Sequence, residues 1–204
     1  MAIVLNSFIL SKMSAKNDNV KIQPLRKKRQ TGAKLSIYEM TLFAMFAAMM
    51  LCSKLLMEFL PNMHLLSMFT ILLTVVYRRK ALVPIYLYVL LNGIVAGFAM
   101  WWIPYLYVWT VLWAVAMLLP NNMSKTAQAI VYPILCALHG LCFGVLYAPA
   151  QALMFSFSFE QTLAWVVAGL PFDITHAVSN LVAGLLIYPL SLLLKKLNNT
   201  IAKA

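Results

Sequence analysis

Apolar residues run along this chain in long blocks, and the polar residues collect in the short gaps between them. Six blocks read as membrane-spanning helices, at roughly 36–57, 62–77, 80–99, 104–119, 127–150 and 162–194, since a span needs about 20 apolar residues, or fewer where it stands upright in a thin bilayer. The second and fourth blocks are short. The sixth is too long for one straight span: at about 1.5 Å per residue it would reach roughly 50 Å, against a hydrocarbon core of about 30 Å. Pro171 lacks the amide proton that would continue the helical ladder, so a kink or local unwinding is predicted near Ala168–Asp173, with the end near Lys195 projecting beyond the membrane. The pattern therefore predicts an all-α integral membrane protein with six transmembrane helices and both termini in the cytoplasm.

Charge supplies the orientation. Lys and Arg cluster at 12–34, at Arg78-Arg79-Lys80, at Lys125 and at Lys195-Lys196, which are the ends of blocks and the gaps between them. With the N-terminal segment inside, 15 of the 16 Lys and Arg residues fall on the cytoplasmic side, as the positive-inside bias requires. Lys54 is the one placed elsewhere, and it is expected to snorkel to the interface. Glu58 and Glu160 fall outside. Three parts follow: a basic, unstructured cytoplasmic tail over 1–35, a six-helix membrane domain over 36–196, and a cytoplasmic tail over 197–204. The opening stretch "AIVLNSFIL" is too short to span and has no charged segment before it, so no cleavable signal is expected.

Composition agrees with a membrane protein. Hydrophobic residues make up 63% of the chain and charged residues 10%, where soluble domains carry roughly half and a quarter. A net charge of +11 invites a nucleic-acid partner, but its placement at the helix ends argues for topology and against nucleic-acid binding. Cys52, Cys136 and Cys142 all lie inside apolar blocks without paired spacing, which argues against disulfides and structural zinc. No phosphate-binding GxxxxGK[ST] loop occurs, and neither GxSxG nor HExxH is present. No catalytic residues, cofactor or resident metal are expected. No inverted duplication is visible either, so a self-powered secondary transporter is disfavoured.

The first block contains Thr41-Leu42-Phe43-Ala44-Met45-Phe46-Ala47-Ala48-Met49-Met50. Ala44 and Ala48 stack one turn apart with Ala47 beside them, and the row Met40, Ala44, Ala48, Cys52 makes a smooth strip. Small-xxx-small spacing lets two membrane helices approach closely. The strip can serve packing within the chain or docking of a partner, and Gly93/Gly97 and Gly140/Gly144 share the spacing.

Size, topology and the motif Ala44-Met45-Phe46-Ala47-Ala48 together resemble the substrate-binding S components of energy-coupling factor (ECF) transporters, over about residues 36–196. The resemblance implies a subunit of the prokaryotic cell membrane that captures a vitamin or similar micronutrient from outside. Ala44, Ala47 and Ala48 would dock a transmembrane T component, which couples to two cytoplasmic ABC ATPases.

Polar side chains inside spans are costly, so each is a candidate for function. Asp173, His176 and Asn180 share one helical face, and Asp173 reaches the same depth as His139 and Trp113. This predicts a pocket between the fourth, fifth and sixth spans. Asp173 and His176 can instead form an internal pair that holds a kink after Pro171. A third reading uses Asp173, His176 and His139 as acid–base groups of an intramembrane enzyme, or as ligands in a nickel or cobalt uptake subunit. Tyr105, Trp109 and Trp113 are four apart and descend one face, a stacking wall for a flat ring. Trp101 and Trp102 fit an interfacial belt. Asn92, Asn62, His64 and Glu160 are further candidates, and the two outer glutamates favour a neutral or cationic ligand.

Overall fold

The computed structural model describes residues 35–60 and 64–201, and these are helical with no strand among them. The basic segment over 1–34, Asn62 and the last three residues lie outside the described residues. Eight α-helices follow in order: α1 (Ile37–Leu56), α2 (Leu66–Tyr77), α3 (Leu82–Ala96), α4 (Tyr105–Met117), α5 (Lys125–Leu141), α6 (Phe143–Phe155), α7 (Phe159–Gly184) and α8 (Ile187–Ile201). Five helical stretches, Ile37–Leu56, Leu66–Ala96, Met100–Met117, Lys125–Phe155 and Phe159–Gly184, are long and apolar enough to cross a membrane. The chain is a multi-pass membrane protein.

Hydroxyl caps start three of the helices. Ser36 and Glu39 form a reciprocal capping box at α1, and Ser158 and Gln161 form another at α7. The Ser124 hydroxyl accepts from the Ala127 amide at the start of α5. Each satisfies amides that have no partner within the helix.

The second stretch reverses direction at a 3-10 turn over Arg78–Ala81, where Arg78 takes φ 54°. The Trp113 indole donates to the Arg78 carbonyl and the Arg78 guanidinium donates to the Met117 carbonyl, whereas the Trp102 indole donates to the Val89 carbonyl. Thus α3 climbs antiparallel to α4, and the predicted second and third spans are two helices. The second is unusual. It has only 12 residues, and nine in a row, Leu66 through Thr74, are buried. It is buried on every face because protein surrounds it; α1, α4, α5, α7 and α8 all pack on it. Around it the core gathers Phe46, Met50, Tyr88, Trp109, Tyr132 and Ile187.

Two boundaries differ from the sequence expectation. The predicted fifth span breaks at Cys142 into α5 and α6. The helix of α7 runs through Pro171 without interruption, and the break falls at Leu185–Leu186. Proline leaves a single carbonyl unbonded, and the flanking ladder of a 26-residue helix continues on both sides. The predicted tail from 197 is also partly structured: α8 extends to Ile201, and Asn198 Oδ1 accepts from both Tyr38 and Tyr77 at 3.3 and 3.1 Å. At this same basic end of the bundle, Lys80 pairs with Glu39 at 2.5 Å.

Helices α5 and α7 are drawn together by glycine. A Cβ on Gly140 would lie 2.9 Å from the Ala177 amide nitrogen, and one on Gly184 would lie 2.6 Å from the Pro133 Cα. In lipid, where apolar burial gives no drive toward association, such contact is what holds helices together. The Gly140/Gly144 spacing therefore serves packing within the chain.

Candidate ligand-binding site

The polar and aromatic side chains of the interior converge at the level where α2 begins. His64, on the segment entering α2, lies with its ring centroid 4.5 Å from that of His176 on α7 and 5.8 Å from Trp109 on α4. Phe143, which opens α6, lies 4.9 Å from His176 and 6.0 Å from both Trp109 and His139. Trp109 and His139 are 5.5 Å apart. Rings from five separate segments thus form one cluster.

Four nitrogens in this cluster are buried without a hydrogen-bond partner among the described residues: His64 Nδ1, Trp109 Nε1, His139 Nε2 and His176 Nε2. An unmade buried hydrogen bond costs about 1–3 kcal/mol. A fold that leaves four of them around one group of rings retains a cost that the polar atoms of a ligand would relieve.

The opposite edge of His139 is held firmly. Asn180 Nδ2 donates to the Ser67 hydroxyl at 3.1 Å and to the Cys136 carbonyl at 3.1 Å, and the Ser67 hydroxyl lies 3.0 Å from His139 Nδ1. The Ser67 oxygen accepts from Asn180 and its bond to Nδ1 occupies that edge of the ring, so Nε2 is the unpartnered atom that faces the cluster. Asn180 and Ser67 thus position the imidazole.

Asp173 has a different task. It is buried, and both of its oxygens accept from the Gly144 amide, at 3.2 and 3.1 Å. Gly144 lies in the first turn of α6, so the carboxylate caps that helix from across the bundle, where its charge is favoured by the helix dipole. Asp173 therefore holds the α5–α6 break rather than a kink after Pro171, and its bond is to Gly144 rather than to His176. Among the described residues, no group of three or more His, Cys, Asp or Glu side chains is disposed to hold a metal ion. Asp173, His176 and His139 accordingly do not form one.

The predicted stacking wall is partly present. Tyr105 stands 5.6 Å above Trp109, and Trp101 is a further 5.6 Å along. Trp113 does not belong to it, since its indole donates to the Arg78 carbonyl near the basic end at 3.2 Å. Asn92 is fully buried and accepts from Lys54 Nζ at 2.9 Å. Lys54 thus turns inward instead of snorkelling, with its ammonium 5.2 Å from the centre of the Trp101 ring. Glu160 is exposed in the first turn of α7, accepts from the Ser158 hydroxyl, and lies apart from the cluster.

Three contributors escaped the sequence reading: Phe143, Ser67 and Lys54. Phe143 sits one helical turn beyond His139, so the shared face was detectable. Lys54 was the one basic residue that defied the topology, which was its signal. Ser67 gave none, because a lone serine within a span ordinarily bonds its own helix.

On α1, Ala44 and Ala48 are exposed on the outer surface in line with Met40 and Cys52. Ala47 is fully buried in the core and does not belong to that strip. The chain matches no protein-family model, no curated protein and no solved structure in comparison with each.

Proposed function

We propose that the chain is a substrate-capture subunit of a membrane importer, of the kind the S components of ECF transporters represent, and that it binds a small flat micronutrient such as a vitamin. The observation that carries this reading is the ring cluster with four unpartnered nitrogens on His64, Trp109, His139 and His176. Such an arrangement is costly as core packing and well suited to a heteroaromatic ligand with its own donors and acceptors. The exposed strip of Ala44 and Ala48 gives support from the opposite direction: a smooth face lets another helix approach closely and leave again. In this reading the strip docks a transmembrane T component coupled to two ABC ATPases, and the ligand enters from the side opposite the basic end, in a prokaryotic plasma membrane. Ala47 acts by packing inside the subunit.

The test is co-purification from native membranes. Wild type is expected to bring down a membrane partner and two ATPases, and the Ala44→Leu, Ala48→Leu variant to lose them while remaining folded. Retention of partners by the leucine variant, or the lack of any in wild type, would refute docking through this face. Quenching of tryptophan fluorescence on adding the ligand would report the ring site separately.

A further inference from the structure

The outer end of the ring ladder carries a second chemistry. Lys54 has no carboxylate within ion-pair distance among the described residues, where Lys80–Glu39 is the one salt bridge. Glu58, in the turn that follows α1, is exposed and forms no ion pair with it. The ammonium spends one hydrogen on Asn92 Oδ1 and sits over the face of Trp101, which leaves further hydrogens free. Asn92 is fully buried, and its Nδ2 has no partner among the described residues. Two donors, one of them cationic, therefore stand side by side with no acceptor between them.

Building on the importer reading, we propose that Lys54 and Asn92 bind a carboxylate on the ligand, so that the substrate is a flat heteroaromatic acid rather than a neutral or cationic ring. One carboxylate oxygen takes the Lys54 ammonium and the other takes Asn92 Nδ2, which satisfies both donors at once. The aromatic steps from Trp101 to Tyr105 and from Tyr105 to Trp109 are each 5.6 Å. They join this site to the ring cluster, so the ligand's ring lies toward Trp109 and its carboxylate toward Lys54. This reverses the preference that the outer glutamates suggested, because Glu160 lies apart from the cluster while Lys54 points inward.

Matched acids and amides test it. Indole-3-acetic and indole-3-propionic acids and their primary amides would be measured by equilibrium dialysis against the purified full chain. Each acid is expected to bind at least about tenfold tighter than its amide, as a charge-assisted hydrogen bond implies. Lys54→Met should bring the acid down to the level of its amide, and Lys54→Arg should keep most of the preference. Asn92→Asp, which supplies Lys54 with an internal carboxylate, should abolish it as well. Equal binding of acid and amide by wild type would overturn the carboxylate assignment and leave the ring site standing. Loss of the acid preference on adding phosphatidylglycerol, with amide binding unaffected, would assign Lys54 to a lipid phosphate and overturn it too. No binding by any of the four probes would overturn both the assignment and the ring site.

Discussion

Replacing Gly184 with alanine adds one methyl group where the two most closely packed helices cross. The new Cβ would lie 2.6 Å from Pro133 Cα and 3.2 Å from both Pro133 Cβ and Cys136 Cβ. Unstrained carbon contacts sit at about 3.5–4.0 Å. The clash is with backbone, which no rotamer change relieves, so α5 and α7 must part locally by about 1 Å. Overpacking of this kind costs about 1–3 kcal/mol. Separation would also stretch the 3.1 Å bond from Asn180 to the Cys136 carbonyl, loosening the chain of contacts that orients His139. Gly169 on the same helix is the control, since nothing lies within 4 Å of the Cβ it would gain. There the same substitution removes backbone freedom from the unfolded chain and should gain about 0.5–1 kcal/mol. A domain of this size moves by about 2–4 °C per kcal/mol. Thermal unfolding in mild detergent should therefore separate the two variants by roughly 5–10 °C, with Gly184→Ala below wild type and Gly169→Ala at or above it. Equal midpoints would refute the claim that glycine-mediated contact, rather than apolar content, holds α5 to α7.

Three further outcomes follow from the same contacts. Asp173→Ala should lower stability by about 1.5–3 kcal/mol, because the Gly144 amide loses a charged acceptor, and Asp173→Asn should lose less because it keeps an oxygen there; denaturant titration of the two variants checks this. Ser67→Ala should cost about 1–3 kcal/mol and weaken ligand binding, since His139 Nδ1 is left without its partner; a stability loss with unchanged affinity would show that the ring is oriented by something else. His176→Phe should bind ligand at least about tenfold more weakly yet unfold no more easily than wild type, because the nitrogen it removes is unpartnered in the free chain; loss of stability in that variant would mean the imidazole is structural.

How much of this was legible in the residues varies by element. The spans of α1, α3 and α4 match the apolar blocks closely, and the hydroxyl caps at Ser36, Ser124 and Ser158 stand where helix starts demand them. Length and apolar content decide a membrane helix, and both are properties of a linear segment. The gathering of His139, His176 and Asn180 on facing surfaces was also readable, because buried polar groups in a span must point inward.

What the linear pattern left open was which way each apolar surface faces. Lipid and protein interior are both apolar, so a helix wrapped in protein reads like one bathed in lipid, and nothing in its composition distinguishes α2 from its neighbours. Only the tertiary structure placed that short helix at the centre, set Ala47 in the core while leaving Ala44 and Ala48 outside, and turned Lys54 toward Asn92. It also decided the partner of Asp173, because the amide it binds belongs to a residue 29 positions away, at a helix break that no local signal marked. The sequence by itself determined a helical membrane protein with a polar interior. Packing between distant segments decided which of those polar atoms are satisfied and which have no partner among the described residues.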